Sequence, residues 1–306
     1  MLTFKGIDSA GFGGLDLTDQ LLYNLKFWID WGLLHHGAFS IYRINDFSFY
    51  NDTEDKLIPV YDERFGNGHV WTGVGPEWVW ESGVVASEPP FRVSGVYVNN
   101  AFVPVGNNGA LNYHIDYQRS RVIFDNPQAL DSDIRAEYTH RMVHVAFDDH
   151  PNFRQLIQNS IISQVSNTLG SGLPTRENQI HLPAIFIGQR SGTQRGLELG
   201  GGQIKTRNIS FNIFADNSSD RNLLADWMDK QSRASFVMAD INDFIFPFDQ
   251  YGDIASGVLN WPQMASDFPG KKIRIMESRL TTLDSINPNI YRARVDVQVE
   301  IDIGGI

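Results

Sequence analysis

The C-terminal end of this chain alternates between polar and apolar residues with a period of two. In residues 292–303, apolar side chains stand at every second position from Ala293 to Ile301. Successive side chains of a β-strand point to opposite faces of the sheet, so this pattern predicts a long strand that buries one face. Parallel strands are covered on both faces and read as continuous apolar runs. The alternation therefore favours an antiparallel sheet in an α+β fold.

Composition limits the kinds of partner this chain can have. A chain of 306 residues, 42% of them hydrophobic, supplies a substantial core and is long enough for two domains. The net charge of −11 argues against a protein that holds nucleic acid by neutralising phosphates, because that mode needs clustered Lys and Arg. The absence of cysteine excludes disulfides, thiolate metal sites and a cysteine nucleophile, and it favours assembly in the cytosol.

The sequence predicts neither a signal peptide nor a membrane span. Residues 1–6 lack a basic region followed by an apolar run. No later segment reaches the ~20 apolar residues that a spanning helix needs. We therefore expect no membrane partner.

The first predicted segment, residues 1–38, contains an amphipathic helix. Asp16 or Thr18 suits the N-cap position, and Gly32 is expected to end the helix. Apolar residues at helical spacing form one stripe that we expect to pack on the fold or on a neighbouring subunit. The stripe consists of Leu21, Leu22, Leu25, Trp28 and Ile29.

The second segment, residues 39–148, is predicted to be a β-rich inserted module. Short β-prone runs are separated by Gly, Pro and Asn, as is typical of small all-β structures. The clearest runs predict four strands in meander order. They are residues 96–100, 113–117, 121–124 and 134–138.

The third segment, residues 149–306, is predicted to be an α+β domain with helices packed on one face of an antiparallel sheet. Pro151 begins a helix that continues to Gly170, and Ser219 begins another. The second of these helices is expected to turn four side chains inward. They are Leu223, Leu224, Trp227 and Met228.

A hairpin is predicted between these two helices. Residues 182–187 form a short apolar strand, and residues 188–202 form a long Gly-rich loop. The returning strand places Ile209, Phe211 and Ile213 toward the core. A later alternating run and the C-terminal strand complete the sheet.

The best candidate for a metal site is a cluster of His140, His144, Asp148, Asp149 and His150. His140 and His144 share one face of an extended strand, as metal ligands need to. Strand residues four apart are nevertheless ~13 Å apart, too far to chelate one ion without another element. We therefore predict no metal site and no cofactor.

No catalytic constellation is evident in the sequence. Adjacent acidic residues such as Asp148 and Asp149 stand at expected turns, where they are ordinarily solvated. There is no Gly-x-Ser-x-Gly elbow, and Lys205 does not directly follow a glycine as a phosphate-binding loop requires. We predict that the protein is not an enzyme, and a hydrolase that uses an acidic pair ranks last among the alternatives.

Tryptophans in the β-rich module leave a carbohydrate-binding alternative open. Trp71, Trp78 and Trp80 would stack on sugar rings if they were exposed together. Tryptophans in a small β-sandwich are more often part of the core. Their exposure decides between these interpretations.

The order of elements in residues 182–303 follows a recognisable pattern. A helix precedes an apolar strand, a Gly- and acid-containing hairpin loop, an alternating strand, a helix and a strongly alternating final strand. The five parts after the first helix are residues 182–187, 188–202, 208–214, 223–228 and 293–303. The order resembles that of the tail-terminator proteins of long-tailed bacteriophages. Because such terminators are commonly smaller, residues 39–148 would be an inserted or appended β module, and the resemblance implies nothing about its role.

The resemblance implies a hexameric ring that caps the tail tube, joins the head connector and leaves a channel for DNA. The implied partners are further copies of the chain and tail tube, sheath or connector proteins, while DNA passes without specific binding. The implied location is the virion neck, assembled in the host cytoplasm. Another head–tail connector or minor tail protein is an alternative of the same class. The implied interface lies at the hairpin tip and comprises Arg195, Leu197, Glu198, Leu199, Gly200 and Gly201.

Overall fold

The computed structural model describes residues 16–44, 56–73, 77–85, 88–106, 109, 111–161, 181–196, 203–241, 247–255, 257–283 and 287–303. Helix α1 (Leu17–His35) begins at the predicted N-cap, where the Asp16 carboxylate accepts hydrogen bonds from the N–H groups of Thr18 and Asp19 at 2.7 and 2.8 Å. The helix continues past Gly32, which was expected to end it. A Cβ at Gly32 would lie 3.1 Å from the Trp227 ring, so this glycine allows close helix packing.

Nine short strands follow α1 in the chain. They are β1 (Phe39–Tyr42), β2 (Ile58–Asp62), β3 (Gly66–Thr72), β4 (Gly95–Val98), β5 (Ala101–Pro104), β6 (Tyr113–Asp116), β7 (Arg121–Phe124), β8 (Ile134–Ala136) and β9 (Tyr138–Arg141). They form a four-stranded sheet in the order β2-β3-β7-β6, a three-stranded sheet in the order β5-β4-β8 and the pair β1-β9.

The predicted four-stranded meander is wrong, because its strands belong to two sheets. β4 pairs with β5 and β8, whereas β6 pairs with β7 in the other sheet. Asn99 and Asn100, both with positive φ (49° and 67°), form the tight turn from β4 into β5. The turn places β5 beside β4, and the sequence pattern did not indicate a strand at β5.

A six-stranded sheet holds the C-terminal half together. Its strands are β10 (His144–Phe147), β11 (Ala184–Gly196), β12 (Gln203–Ala215), β13 (Ser235–Ala239), β14 (Pro269–Leu283) and β15 (Tyr291–Ile303). The order is β10-β11-β12-β15-β14-β13, and every pair is antiparallel except β10-β11. The mixed, largely antiparallel sheet confirms the α+β class. The period-two pattern of β15 is confirmed as well, because its apolar residues from Ala293 to Ile301 are buried.

Helices contact both faces of this sheet. The helices after α1 are α2 (Pro151–Ile161), α3 (Ser218–Asp229) and α4 (Trp261–Asp267). Residues of α1 and α3 share a core with Ile185 and Ile187, whereas Phe153 of α2 packs with Phe186. Because neighbouring strand residues point to opposite faces, α2 lies on the face opposite α1 and α3. The expectation that the helices pack on one face is therefore wrong, and the continuous apolar run at 184–187 reflects this double coverage.

The predicted inward residues of the hairpin and of α3 have different outcomes. Ile209, Phe211 and Ile213 are completely buried, as predicted. In α3, Leu224 and Met228 are buried and Trp227 is half-buried, but Leu223 is 67% exposed. Leu223 and Leu224 are adjacent on the helix and ~100° apart, so only one of them faces the sheet.

Helix α2 ends at Ile161, and residues 162–170 of the longer predicted helix lie outside the described residues. Within the described ranges, no helix combines the length and the apolar character needed to cross a bilayer.

Candidate assembly surface

The hairpin of β11 and β12 extends well past the strand at its side. Both strands are 13 residues long, and they pair from Ala184↔Phe214 to Gly196↔Gln203. β10 pairs only with residues 184–187 of β11. Residues 188–196, predicted to be a Gly-rich loop, are therefore strand, and the prediction of a long loop is wrong. Residues 197–202, between the two strands, lie outside the described residues.

Asp148 directly follows β10, the strand that pairs with the outer edge of β11 as far as Ile187. Its N–H donates to the carbonyl of Ile187 at 3.0 Å, and its carboxylate lies directly against Gly188. A Cβ at Gly188 would stand 1.8 Å from Asp148 Oδ2, so glycine is required there. Burial raises the pKa of Asp148, which the charge of Arg190 opposes.

Beyond Gly188, the outer edge of β11 has no strand partner among the residues that the structure describes. The residues of this edge from Arg190 to Thr193 are exposed. A β-bulge between Gln189 and Ser191 shifts the register. An uncovered strand edge presents unpaired N–H and C=O groups and is a template for pairing with another chain.

At the opposite edge of the sheet, a side chain covers the last residue of β13, Ala239. The amide of Asn24 in α1 donates to the carbonyl of Ala239 at 2.9 Å, and its Oδ1 accepts from the N–H of Ala239 at 2.7 Å. The same oxygen accepts from Trp261 Nε1 at 3.0 Å. Asn24 is completely buried, so it replaces a neighbouring strand at the end of β13.

A polar groove of about 500 Å³ lies on the open part of the sheet face that α2 leaves uncovered. Arg190 Nε donates to Ser210 Oγ at 3.0 Å, and Ser210 in turn donates to Asp296. Arg294 Nε donates to Asp296 Oδ2 at 2.9 Å, and Arg279 stands opposite Asp296 in the register. Polar side chains of four strands, β11, β12, β15 and β14, therefore line the groove. Such a lining suits contact with another polar surface.

A buried ionic cluster joins α1 to the β-rich module. Arg141 Nη2 donates to both carboxylate oxygens of Glu81, at 2.8 and 2.6 Å, and Arg141 Nε lies 3.5 Å from Glu77. Lys26 Nζ lies 3.3 Å from both Asp30 and Glu77. Three carboxyl groups thus surround two cations, and each of the five side chains is at most 12% exposed.

Burial controls the protonation of this cluster. Desolvation raises the pKa of Asp30, although Arg141 and Lys26 oppose the rise. It likewise raises the pKa of Glu81 against the effect of Arg141. Burial alone would lower the pKa of Arg141, but the surrounding carboxylates raise it. The sequence reasoning missed this cluster, although charged Lys26 and Asp30 four residues apart in an otherwise apolar helix were a signal for it.

The tryptophans do not form a carbohydrate platform. Trp71, Trp78 and Trp80 are 1%, 0% and 3% exposed. They belong to a core that extends to Phe27 of α1 and Trp261 of α4. The proposed stacking surface is therefore wrong, because its rings are occupied with packing inside the protein.

The histidines of the candidate metal cluster, which the sequence analysis rejected, are separated by the fold. His140 lies in β9, where its ring stacks on Tyr42 with a centroid distance of 5.0 Å, whereas His144 lies in β10 of another sheet. His144 lies 6.0 Å from His150 between ring centroids. In the part of the chain that the structure describes, no three His, Asp or Glu side chains are arranged to hold a metal ion.

The predicted interface residues are only partly placed. Arg195 lies in β11 opposite Ile204 of β12. The other five predicted residues lie outside the described residues: Leu197, Glu198, Leu199, Gly200 and Gly201. The edge of β11 and the polar groove were not predicted, because the Gly-rich composition of 188–196 indicated a loop.

Comparison of the sequence with models of known protein families and with curated proteins finds no match to either.

Proposed function

We propose that this protein is a tail terminator of a long-tailed bacteriophage. Its copies form a hexameric ring that caps the tail tube, joins it to the head connector and leaves a channel for DNA. The protein is then a structural component of the virion neck, assembled in the host cytoplasm, and acts by geometry rather than by catalysis.

One observation carries this proposal. The β11–β12 hairpin projects past β10 and leaves the edge of β11 uncovered from residue 189 to 196 among the described residues. The edge lies beside the polar groove formed by Arg190, Ser210 and Asp296. Two adjacent contact surfaces at one end of a rigid sheet suit a protein whose role is to meet neighbouring subunits.

The order of elements also supports the proposal. Helix α2, the long hairpin, helix α3 and the alternating strand β15 follow the order of the tail-terminator pattern. Strand β13 and helix α4 are additional to that pattern. The strands of the β-rich module form sheets separate from the six-stranded sheet, while its core continues into α1 and α4 through Phe27 and Trp261.

The charge of the chain suits a conduit for DNA. A protein of net charge −11 repels a polyanion, so a channel lined by it does not trap the DNA that passes. Under this proposal, the ring closes by repetition of one heterologous contact between neighbouring copies.

Tube capping tests the proposal. A candidate tail-tube protein is polymerised with and without this protein, and the tube ends are imaged by negative-stain electron microscopy. Six-fold rings at tube ends and an arrest of tube growth are expected. Unchanged growth and bare ends would contradict the proposal.

A deletion variant gives a matched comparison. Deletion of residues 195–201 removes the Gly-rich segment between the two strands, and a segment of this composition ordinarily adds little to a core. The shortened chain is expected to keep its thermal midpoint and to lose the capping of tubes. Capping at the wild-type level would show that the tip has no role in the interface.

A further inference from the structure

The two arms of the projecting hairpin are basic in an acidic protein. Residues 188–196 and 203–209 contain four cationic residues and no acidic ones, while the whole chain has a net charge of −11. The cationic residues are Arg190, Arg195, Lys205 and Arg207. The hairpin is therefore complementary in charge to the remainder of the same molecule.

Among the described residues, no neighbouring strand lies along the edge of β11 beyond Gly188. Residues 189–196 contain no proline and no lysine, and they continue to pair with β12 after the bulge between Gln189 and Ser191. The side chain of Arg190 turns onto the sheet face toward Ser210 and does not fold over the backbone edge. Edge strands are commonly protected by proline, charged side chains or a covering element. At the other edge of this sheet, Asn24 covers Ala239 at the end of β13.

We propose that the edge of β11 from residue 189 to 196 binds an extended acidic segment of a second copy of this chain, which adds to the sheet beside β11. The inference rests on the proposed function, since it assigns the contact that repeats around the ring. Backbone hydrogen bonds supply the affinity, and attraction between the basic arms and the acidic segment selects and orients it.

A second copy is the occupant favoured by charge and symmetry. The hairpin arms attract acidic protein, and every other copy offers an acidic surface at high local concentration during assembly. A basic edge that meets an acidic segment elsewhere on the next copy is a heterologous contact, which closes into a ring by rotation. Such a contact weakens as salt is added, because its exposed charges are screened.

Two proline variants test the backbone contact. In an edge strand, consecutive residues direct their N–H groups alternately toward the paired strand and outward. Thr193→Pro and Gln194→Pro therefore remove one inward and one outward N–H. Proline at the position whose N–H points outward removes no hydrogen bond to β12. That variant is therefore expected to keep the wild-type thermal midpoint, which identifies it. It is expected to lose self-association measured by light scattering, alone and on tail-tube protein. Wild-type association of a normally folded proline variant of this kind would overturn the inference.

Charge reversal tests the complementarity without relying on proline. Arg195→Glu with Lys205→Glu is expected to weaken self-association by roughly tenfold or more. Arg154→Glu with Lys271→Glu makes the same charge change at two exposed positions of α2 and β14 and serves as the control. Equal association of the two double variants would overturn the inference.

The outcomes separate this inference from the proposed function. Six-fold rings on tubes that are unaffected by the edge variants would overturn the edge contact while the terminator role stands. Edge-dependent self-association without any ring or tube binding would support the edge contact and contradict the terminator role.

Discussion

Asn24 and Ala239 form a reciprocal pair of hydrogen bonds, at 2.9 and 2.7 Å, in which one side-chain amide completes the edge of strand β13. The two residues are 215 positions apart in sequence. The pair fixes helix α1 to the sheet and covers the outer edge of β13 at Ala239, while the edge of β11 at the other side has no strand partner beyond Gly188 among the described residues.

Replacing Asn24 is expected to destabilise the fold strongly. Asn24→Leu leaves the N–H and C=O groups of Ala239 and the N–H of Trp261 without these partners in a buried place. We expect a loss of about 2–4 kcal/mol in the free energy of unfolding by urea denaturation. The same change at exposed Asn222 in α3 should alter it by less than about 0.5 kcal/mol. Equal effects at the two positions would contradict the role of Asn24.

Phe211 is expected to be a major contributor to the core of the six-stranded sheet. It is completely buried between α1, α3 and the sheet, so Phe211→Ala should lower the free energy of unfolding by about 3–5 kcal/mol. Phe102→Ala in β5 is the matched control, because that ring is 49% exposed. Its cost in the same denaturant titration should be less than half as large. A stable Phe211→Ala protein would show that the strand register is wrong.

Arg141 is expected to be required for the buried ionic cluster. Arg141→Met leaves Glu81, Asp30 and Glu77 with Lys26 as the one remaining cation of the cluster. The expected cost near pH 7 is about 3–5 kcal/mol, measured by urea denaturation, because an uncompensated charge stays buried. Arg154→Met, at an exposed position of α2, should have little effect.

The cost of Arg141→Met should depend on pH. Burial raises the pKa of Asp30 and Glu81, and Arg141 opposes both rises, so its removal raises these pKa values further. A carboxyl group whose pKa is raised on folding stabilises the fold at low pH and loses that contribution as pH rises through the raised value. The deficit of the variant should therefore shrink as the pH falls from 8 toward 5. A constant deficit would contradict the account of the cluster.

His144 is expected to make the fold sensitive to acid. Burial, together with the charge of Lys26, lowers the pKa of His144 to about 3, from a usual value of 6.5. Its ring nitrogens are buried and have no hydrogen-bond partner among the described residues. The neutral ring therefore stabilises the fold above pH 6.5, and this contribution is lost as the pH falls toward 3.

The variant His144→Leu isolates this effect. Compared with it, the wild-type protein should lose about 1.4 kcal/mol per pH unit over the lower part of that range, measured as the free energy of unfolding. His36→Leu, at an exposed position after α1, is the control for the substitution itself. Parallel pH profiles for wild type and His144→Leu would contradict the assignment.

The parts of the fold that were predictable are those with a strong local pattern. The alternation ending at Ile301 predicted β15, and Asp16 ahead of an apolar stripe predicted the start of α1. Strand β13 and helix α4 were missed, because the aromatic, Pro-containing stretch around Trp261 has no clear period. Residues 188–196 read as a loop because glycine is depleted in strands, yet pairing with β12 overrides that preference.

The candidate site depended on contacts that the sequence does not display. The edge of β11 is uncovered because β10 is short and ends at Asp148, a fact of sheet assembly rather than of local composition. The ionic cluster brings together Lys26, Glu81 and Arg141 from three distant parts of the chain. No local pattern indicates which strands pair, which is also why the meander prediction failed.

The measurement that most directly tests the central claim is the mass of the purified protein in solution, alone and mixed with a candidate tail-tube protein, by light scattering. The account predicts a species of six chains, free or bound to the tube protein, whose formation weakens with added salt. A persistent monomer that does not bind tube protein at any salt concentration would contradict it.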